Sequence, residues 1–130
     1  RLCYNDNQDD DTGEMHMAKY ERSLTGDFDG FLNHLHNAIT QGSASASFED
    51  GSDRTFGQTR LAVRVYERYS MAGGNRVSLN ISVLGHDNQL FVSAITSGGS
   101  QALFFKINTW GESTFLDQCI NAVESYAGRA

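Results

Sequence analysis

Cysteine is scarce, proline is missing, and no long apolar run or basic cluster interrupts the 130 residues. The two cysteines, Cys3 and Cys119, lie in no CxxC pair. That argues against a disulfide framework and makes a reducing cytoplasm the expected compartment. No stretch approaches the roughly 20 apolar residues a spanning helix needs, so no membrane segment is expected. Residues 1–16 contain no apolar core of a secretory signal. There is no internal repeat. A composition of 39% hydrophobic and 20% charged residues is ordinary for a folded domain and too apolar for disorder.

The net charge of −6 is unevenly placed. Residues 1–16 hold one basic and five acidic side chains; residues 17–130 hold nine and eleven, a net of −2. A nearly neutral domain without a Lys/Arg patch argues against nucleic-acid binding driven by phosphate charge.

The first sixteen residues, RLCYNDNQDDDTGEMH, show neither helix nor strand period and are expected to be a disordered acidic leader or not native. Thr12-Gly13-Glu14 can be encoded by ACA GGA GAA, which contains a ribosome-binding AGGAG at short spacing from Met17. On that reading 1–16 translate upstream sequence and the domain spans 17–130; a flexible tail or cloning remnant is the alternative. Asp9, Asp11 and Gly13 mimic only a fragment of a calcium loop, with no flanking helices, so no metal is expected there.

From Met17 the pattern becomes legible. Lys19 to Leu24 reads as a strand, and Phe28, Phe31, Leu32, Leu35, Ala38 and Ile39 recur at helical spacing behind an Asp27 cap, with Gly42 as the stop. Ser43 to Phe48 is a weak strand and Glu49 to Gly57 a polar loop. Alternation marks strands at Arg60–Tyr69 and Val77–Val83, joined by a turn at Ala72–Asn75. Gly85–Asn88 turns into Leu90–Ile95, and Ser97–Ser100 turns into Ala102–Ile107. A last helix carries Phe115, Leu116, Cys119, Ile120 and Val123, capped at Thr109 or Ser113 and ending at Gly128. The order β-α-β-β-β-β-β-α, with two one-sided helices, predicts a two-layer α+β domain with an antiparallel sheet of five or six strands. Its inward face is expected to carry Leu61, Val63, Val65, Val77, Leu79, Ile81, Val83, Leu103, Phe105 and Ile107.

That element order resembles a pared-down helix-grip fold of the Bet v 1 or START-like class, in which a curved sheet wraps a C-terminal helix. More specific strings are FDGFLNHLHNAI, GSASASFEDGSD, AVRVYERYS-x-x-GGNRVSLNI and FVSAITSGGSQALFFKINTWGE, which together cover nearly all of 18–116. They resemble a family of small bacterial proteins catalogued as a domain of unknown function. The resemblance supports the domain boundaries and implies no activity or cofactor.

No constellation points to catalysis. His34 and His36 are two apart on a helix, unlike the i, i+4 pair of a zinc helix, and read as surface histidines. Cys119 sits on an apolar stripe and reads as a small core residue. Ser97-Gly98-Gly99-Ser100 lies between strands and reads as a turn before an anion nest. The polar sheet face is the candidate site: Arg64, Tyr66, Arg68, Ser78, Asn80, Ser82 and Lys106 should point away from the aliphatic face. Arg64, Tyr66, Arg68, Asn80 and Lys106 would hold a small anionic molecule, with Tyr66 as the stacking surface. A solvated face of polar pairs is one alternative. Self-association is another, because Phe91, Ile95 and Phe104 share that side and leave apolar patches for a protein partner or a homo-oligomer. The functional expectation is a non-catalytic binding module, with a helix-grip enzyme as the second possibility.

Overall fold

The computed structural model describes residues 3–6, 18–43, 45–69, 76–98 and 114–128. The strands are β1 (Cys3–Asp6), β2 (Ala18–Thr25), β3 (Ser47–Phe56), β4 (Thr59–Tyr69), β5 (Arg76–His86) and β6 (Gln89–Gly98). Helix α1 spans Phe28–Gln41 and helix α2 spans Phe115–Ala127. Among the described residues the strands form one antiparallel sheet in the order β1-β2-β6-β5-β4-β3. The architecture is α+β with both helices on one face: α2 packs on β2, β6 and β5, and α1 lies against α2.

Local chemistry starts both helices where they begin. Asp27 caps α1, its Oδ2 accepting from the Gly30 N–H at 2.7 Å. Thr114 caps α2, its Oγ1 accepting from the Asp117 N–H at 3.0 Å. This places the α2 cap one residue beyond Ser113; Thr109 to Ser113 lie outside the described residues. The apolar stripes then meet the sheet: Phe28, Phe31, Leu35 and Ile39 from α1, and Phe115, Leu116, Cys119 and Val123 from α2, are all buried.

On the sheet, Val77, Leu79, Ile81 and Val83 of β5 and Leu90, Val92 and Ala94 of β6 face the helices, as the alternation predicts for β5. Strand β4 has the opposite phase to the one expected. Ala62 and Tyr66 are buried, Leu61 is exposed, and Val63 and Val65 are only half-buried. Pairing explains it: Tyr66 lies opposite Leu79 and Ala62 opposite Val83, so the even-numbered residues of β4 share the helix-covered face. Leu103, Phe105 and Ile107, the remaining expected core residues, lie outside the described residues, as does the turn at Ala72–Asn75.

Three further expectations change. Glu49 to Phe56 is no loop but most of β3, an edge strand whose ten residues are all exposed. It has no hydrophobic period because neither of its faces is covered. Strand β5 runs on to His86, and the turn is Asp87–Asn88, with Asp87 at φ 54°. Gly85 belongs to the strand because Phe28 packs on it: a β-carbon there would fall 2.5 Å from the Phe28 ring. In the leader, Cys3–Asp6 run as a strand against β2, although their sequence shows no strand period.

Candidate functional site

Arg64, Tyr66 and Arg68 share one face, as expected, but it is the face under the helices; Asn80, Ser78 and Ser82 lie on the opposite one. Lys106 lies outside the described residues. Each β4 arginine is held by a neighbour. Arg64 donates to Asp53 Oδ1 at 3.1 Å and to the Val63 carbonyl at 2.9 Å. Arg68 donates to Gln118 Oε1 at 2.8 Å and lies 5.1 Å above the Phe115 ring. Arg60, in the same row, makes a two-pronged pair with Asp29 at 2.9 and 3.0 Å, and that hydrogen bond holds the Asp29 carboxyl below the usual carboxylate range. Arg60 and Arg68 thereby clip the sheet to α1 and α2, while Arg64 ties β4 to β3.

Tyr66 is almost completely buried, and its hydroxyl hydrogen-bonds His36 Nδ1 at 3.0 Å. Burial pushes its phenol up to about 12. Phe48 joins the pair with its ring 5.7 Å from both. His34 is half-buried too: its Nε2 lies 2.9 Å from the Ala122 carbonyl, and its ring is 5.3 Å from that of Tyr126. Both histidines, expected at the surface, instead join α1 to its neighbours. Cys119 is a fully buried core thiol, pushed up to about 12 by burial alone. At neutral pH the Tyr66 phenol and the Cys119 thiol keep their protons and lie buried out of reach of a substrate, so neither supplies a nucleophile. Among the described residues no group of three or more His, Cys, Asp or Glu could hold a metal ion, and no helix is long and apolar enough to cross a membrane.

A concavity lies elsewhere, at one end of the sheet. Residues 22–25 of β2, Leu84 and His86 of β5, residues 89–91 of β6 and Ala127 of α2 line a groove of about 670 Å³. Its volume falls in the range of small-molecule sites. The walls mix Leu24, Leu84, Leu90 and Phe91 with the hydroxyls of Ser23 and Thr25, the Gln89 amide and the His86 imidazole. The one guanidinium in the wall is fixed by α2. Glu124 takes a hydrogen bond from Arg22 at 2.7 Å on one carboxylate oxygen and from the Tyr20 hydroxyl at 2.6 Å on the other. Burial, and then that bond to Glu124, raise the Tyr20 phenol well above the usual tyrosine range. Arg22 Nε is buried without a partner, so this guanidinium is less fully satisfied than a core arginine usually is. Sequence reading did not assemble this groove, because its walls come from segments more than a hundred residues apart and none carries a motif.

A two-layer α+β domain, with one antiparallel sheet, two helices on one face and a groove at the sheet end, is the class these features define. The chain belongs to the family of unknown function DUF6054, whose model matches residues 17–127. No curated protein matches it. Among solved structures, the chain is similar to the Pseudomonas aeruginosa protein of unknown function PA94, with a TM-score of 0.54 and 12% identity over 85% of this chain and 77% of that one. LpqN of Mycobacterium tuberculosis, involved in cell envelope biogenesis, gives a TM-score of 0.42 and 16% identity over 90% of this chain and 64% of that one. At these identities the likeness to PA94 concerns the fold alone.

Proposed function

We propose that this domain is a non-catalytic binding module and that the groove at the sheet end takes a small amphipathic molecule bearing a carboxylate or similar acceptor. The observation that carries this reading is Arg22, a guanidinium held by Glu124 in the wall of a groove whose other walls are apolar side chains, hydroxyls, the Gln89 amide and the His86 imidazole. Such a division of walls suits an apolar body and one hydrogen-bonding head. The anion reading at Arg64 and Arg68 is weaker, because a ligand there would have to displace Asp53 and Gln118. Catalysis is disfavoured because Tyr20, Tyr66 and Cys119 are all held in their protonated forms.

A thermal-shift screen of small carboxylic acids, backed by native mass spectrometry of the purified chain, tests the proposal. A hit should raise the melting temperature of the parent protein. Its effect should shrink at least tenfold in apparent affinity in Arg22→Gln, and in Gln89→Trp, which fills the groove from an exposed position. A ligand that binds both variants as tightly as the parent would put the site elsewhere.

A further inference from the structure

The face of the sheet away from the helices carries a pattern of its own. Strand pairing arranges its residues in rows: Arg54, Leu61, Leu84, Phe91 and Ser23 form one, and Asp50, Val65, Asn80, Ile95 and Lys19 another. Phe56, Leu61, Leu84, Phe91 and Ile95 are all exposed large apolar side chains, and all lie on this face. Leu61, Leu84 and Phe91 are direct neighbours in one row, and an exposed apolar cluster of this kind marks an interaction surface.

We infer that the occupant of this face is a second copy of the same chain, packed sheet to sheet about a two-fold axis that runs along β5. Strand β5 is the middle of β3-β4-β5-β6-β2, so the rotation lays β4 over the second copy's β6 and β3 over its β2. Leu84 then meets its own equivalent. Leu61 meets the second copy's Phe91, and Val65 meets its Ile95, because each pair shares a row. At the rims Asp50 meets Lys19, so the negative end of the row on one copy covers the positive end on the other. Arg54 falls one row from Glu21 of the second copy, within reach of a long side chain when aligned sheets cross at about −30°. A face shaped for an unrelated partner has no reason to complement itself under rotation. This one does in its Leu61–Leu84–Phe91 row, in the Val65–Ile95 pair and in the Asp50–Lys19 pair, which is the property of an isologous interface.

The area suffices. Five strands about 4.8 Å apart and eight residues of about 3.4 Å rise give a footprint of about 650 Å² per copy. The total of about 1,300 Å² reaches the range of stable specific interfaces. Such a dimer would cover Leu84 and Phe91 of the groove wall and leave Arg22, Leu24, Leu90 and Ala127 on the helix side of the sheet. The two proposals share those two wall residues, but one is read from oligomeric mass and the other from ligand affinity in Arg22→Gln, so their failures are distinguishable.

Sedimentation velocity and native mass spectrometry of the full chain provide the test. The parent should run at twice the mass of the 14.3 kDa chain. Leu84→Glu sets two like charges on the axis and should weaken the dimer by more than about 100-fold. Its circular dichroism should not change, since Leu84 is exposed. Asp50→Lys and Lys19→Asp should each weaken association, and the two together should restore it. A parent monomer at 100-micromolar concentration (about the upper limit for a specific dimer of this size) overturns the inference and leaves the face to a different partner. So does a dimer indifferent to Leu84→Glu, or one whose charge swaps show no mutual rescue.

Discussion

Replacing Tyr66 with alanine should cost about 3–5 kcal/mol of stability, the range for deleting a large buried aromatic. Replacing its chain neighbour Val65 with threonine should cost less than about 1 kcal/mol. Urea unfolding of both variants as monomers gives the comparison. The contrast is sharp because the two residues are adjacent and the alternation of β4, read from hydropathy, puts Val65 in the core and Tyr66 outside. The structure puts Tyr66 under α1, opposite Leu79 and bonded to His36, and leaves Val65 half-exposed. Truncating Tyr66 removes the ring and also strands the His36 nitrogen. If Val65→Thr proved the costlier change, the register of β4 against β5 would be wrong.

The second large effect is expected at Glu124. Its carboxylate satisfies Tyr20 and Arg22 together, so Glu124→Ala should destabilise by about 2–3 kcal/mol, mainly through the buried Tyr20 hydroxyl left without a partner. The ion pair with Arg22 adds little, because the Glu124 side chain is 41% exposed and water screens it. Tyr20→Phe combined with Glu124→Gln should cost less than the sum of the single changes, since each removes the other's reason to be satisfied. The same tyrosine shapes the response to alkali. Its phenol keeps its proton in the folded chain and loses it near pH 10 when unfolded, so the folded state binds more protons above that pH. Stability therefore falls as pH rises, by about 1.4 kcal/mol per pH unit for each such group. Tyr66 behaves alike between pH 10 and about 12. Melting temperature against pH should decline steeply above pH 10 in the parent and more gently in Tyr20→Phe; an unchanged slope would remove Tyr20 from the account.

What was legible in the sequence follows physical lines. Strand β5 and both helices were readable because one side of each is buried and the other wet, so hydropathy carries their period. Strand β4 misleads because both of its faces hold apolar atoms. The open face carries Leu61, Val63 and Val65, while the covered face carries Tyr66 between arginines that lead their charges out to Asp29, Asp53 and Gln118. Hydropathy scores an arginine as exposed even when its stem lies on the core. Strand β3 left a trace only at Ser47 and Phe48, the end of the weak strand read there, since a strand exposed on both faces has no period. The groove was invisible for a different reason. Arg22 and Glu124 are 102 positions apart and meet only after the sheet is closed by β6. Phe91 and Ile95, expected on the side of Arg64, Tyr66 and Arg68, lie instead on the opposite, open face with Asn80, where Leu61, Leu84 and Phe56 join them, and Phe104 lies outside the described residues.

Strand β3 also limits how far this molecule can grow. Among the described residues no strand pairs with its outer edge, which presents backbone donors and acceptors over ten residues, the geometry by which chains add to one another without end. Against that, the register slips between Phe48 and Asp50, leaving a bulge at Glu49, and Asp50, Asp53 and Arg54 put charge along the exposed run. A neighbouring strand would have to match an interrupted ladder while bringing like charges together. The edge that most invites fibre formation is thereby poorly suited to accept a flat, in-register partner.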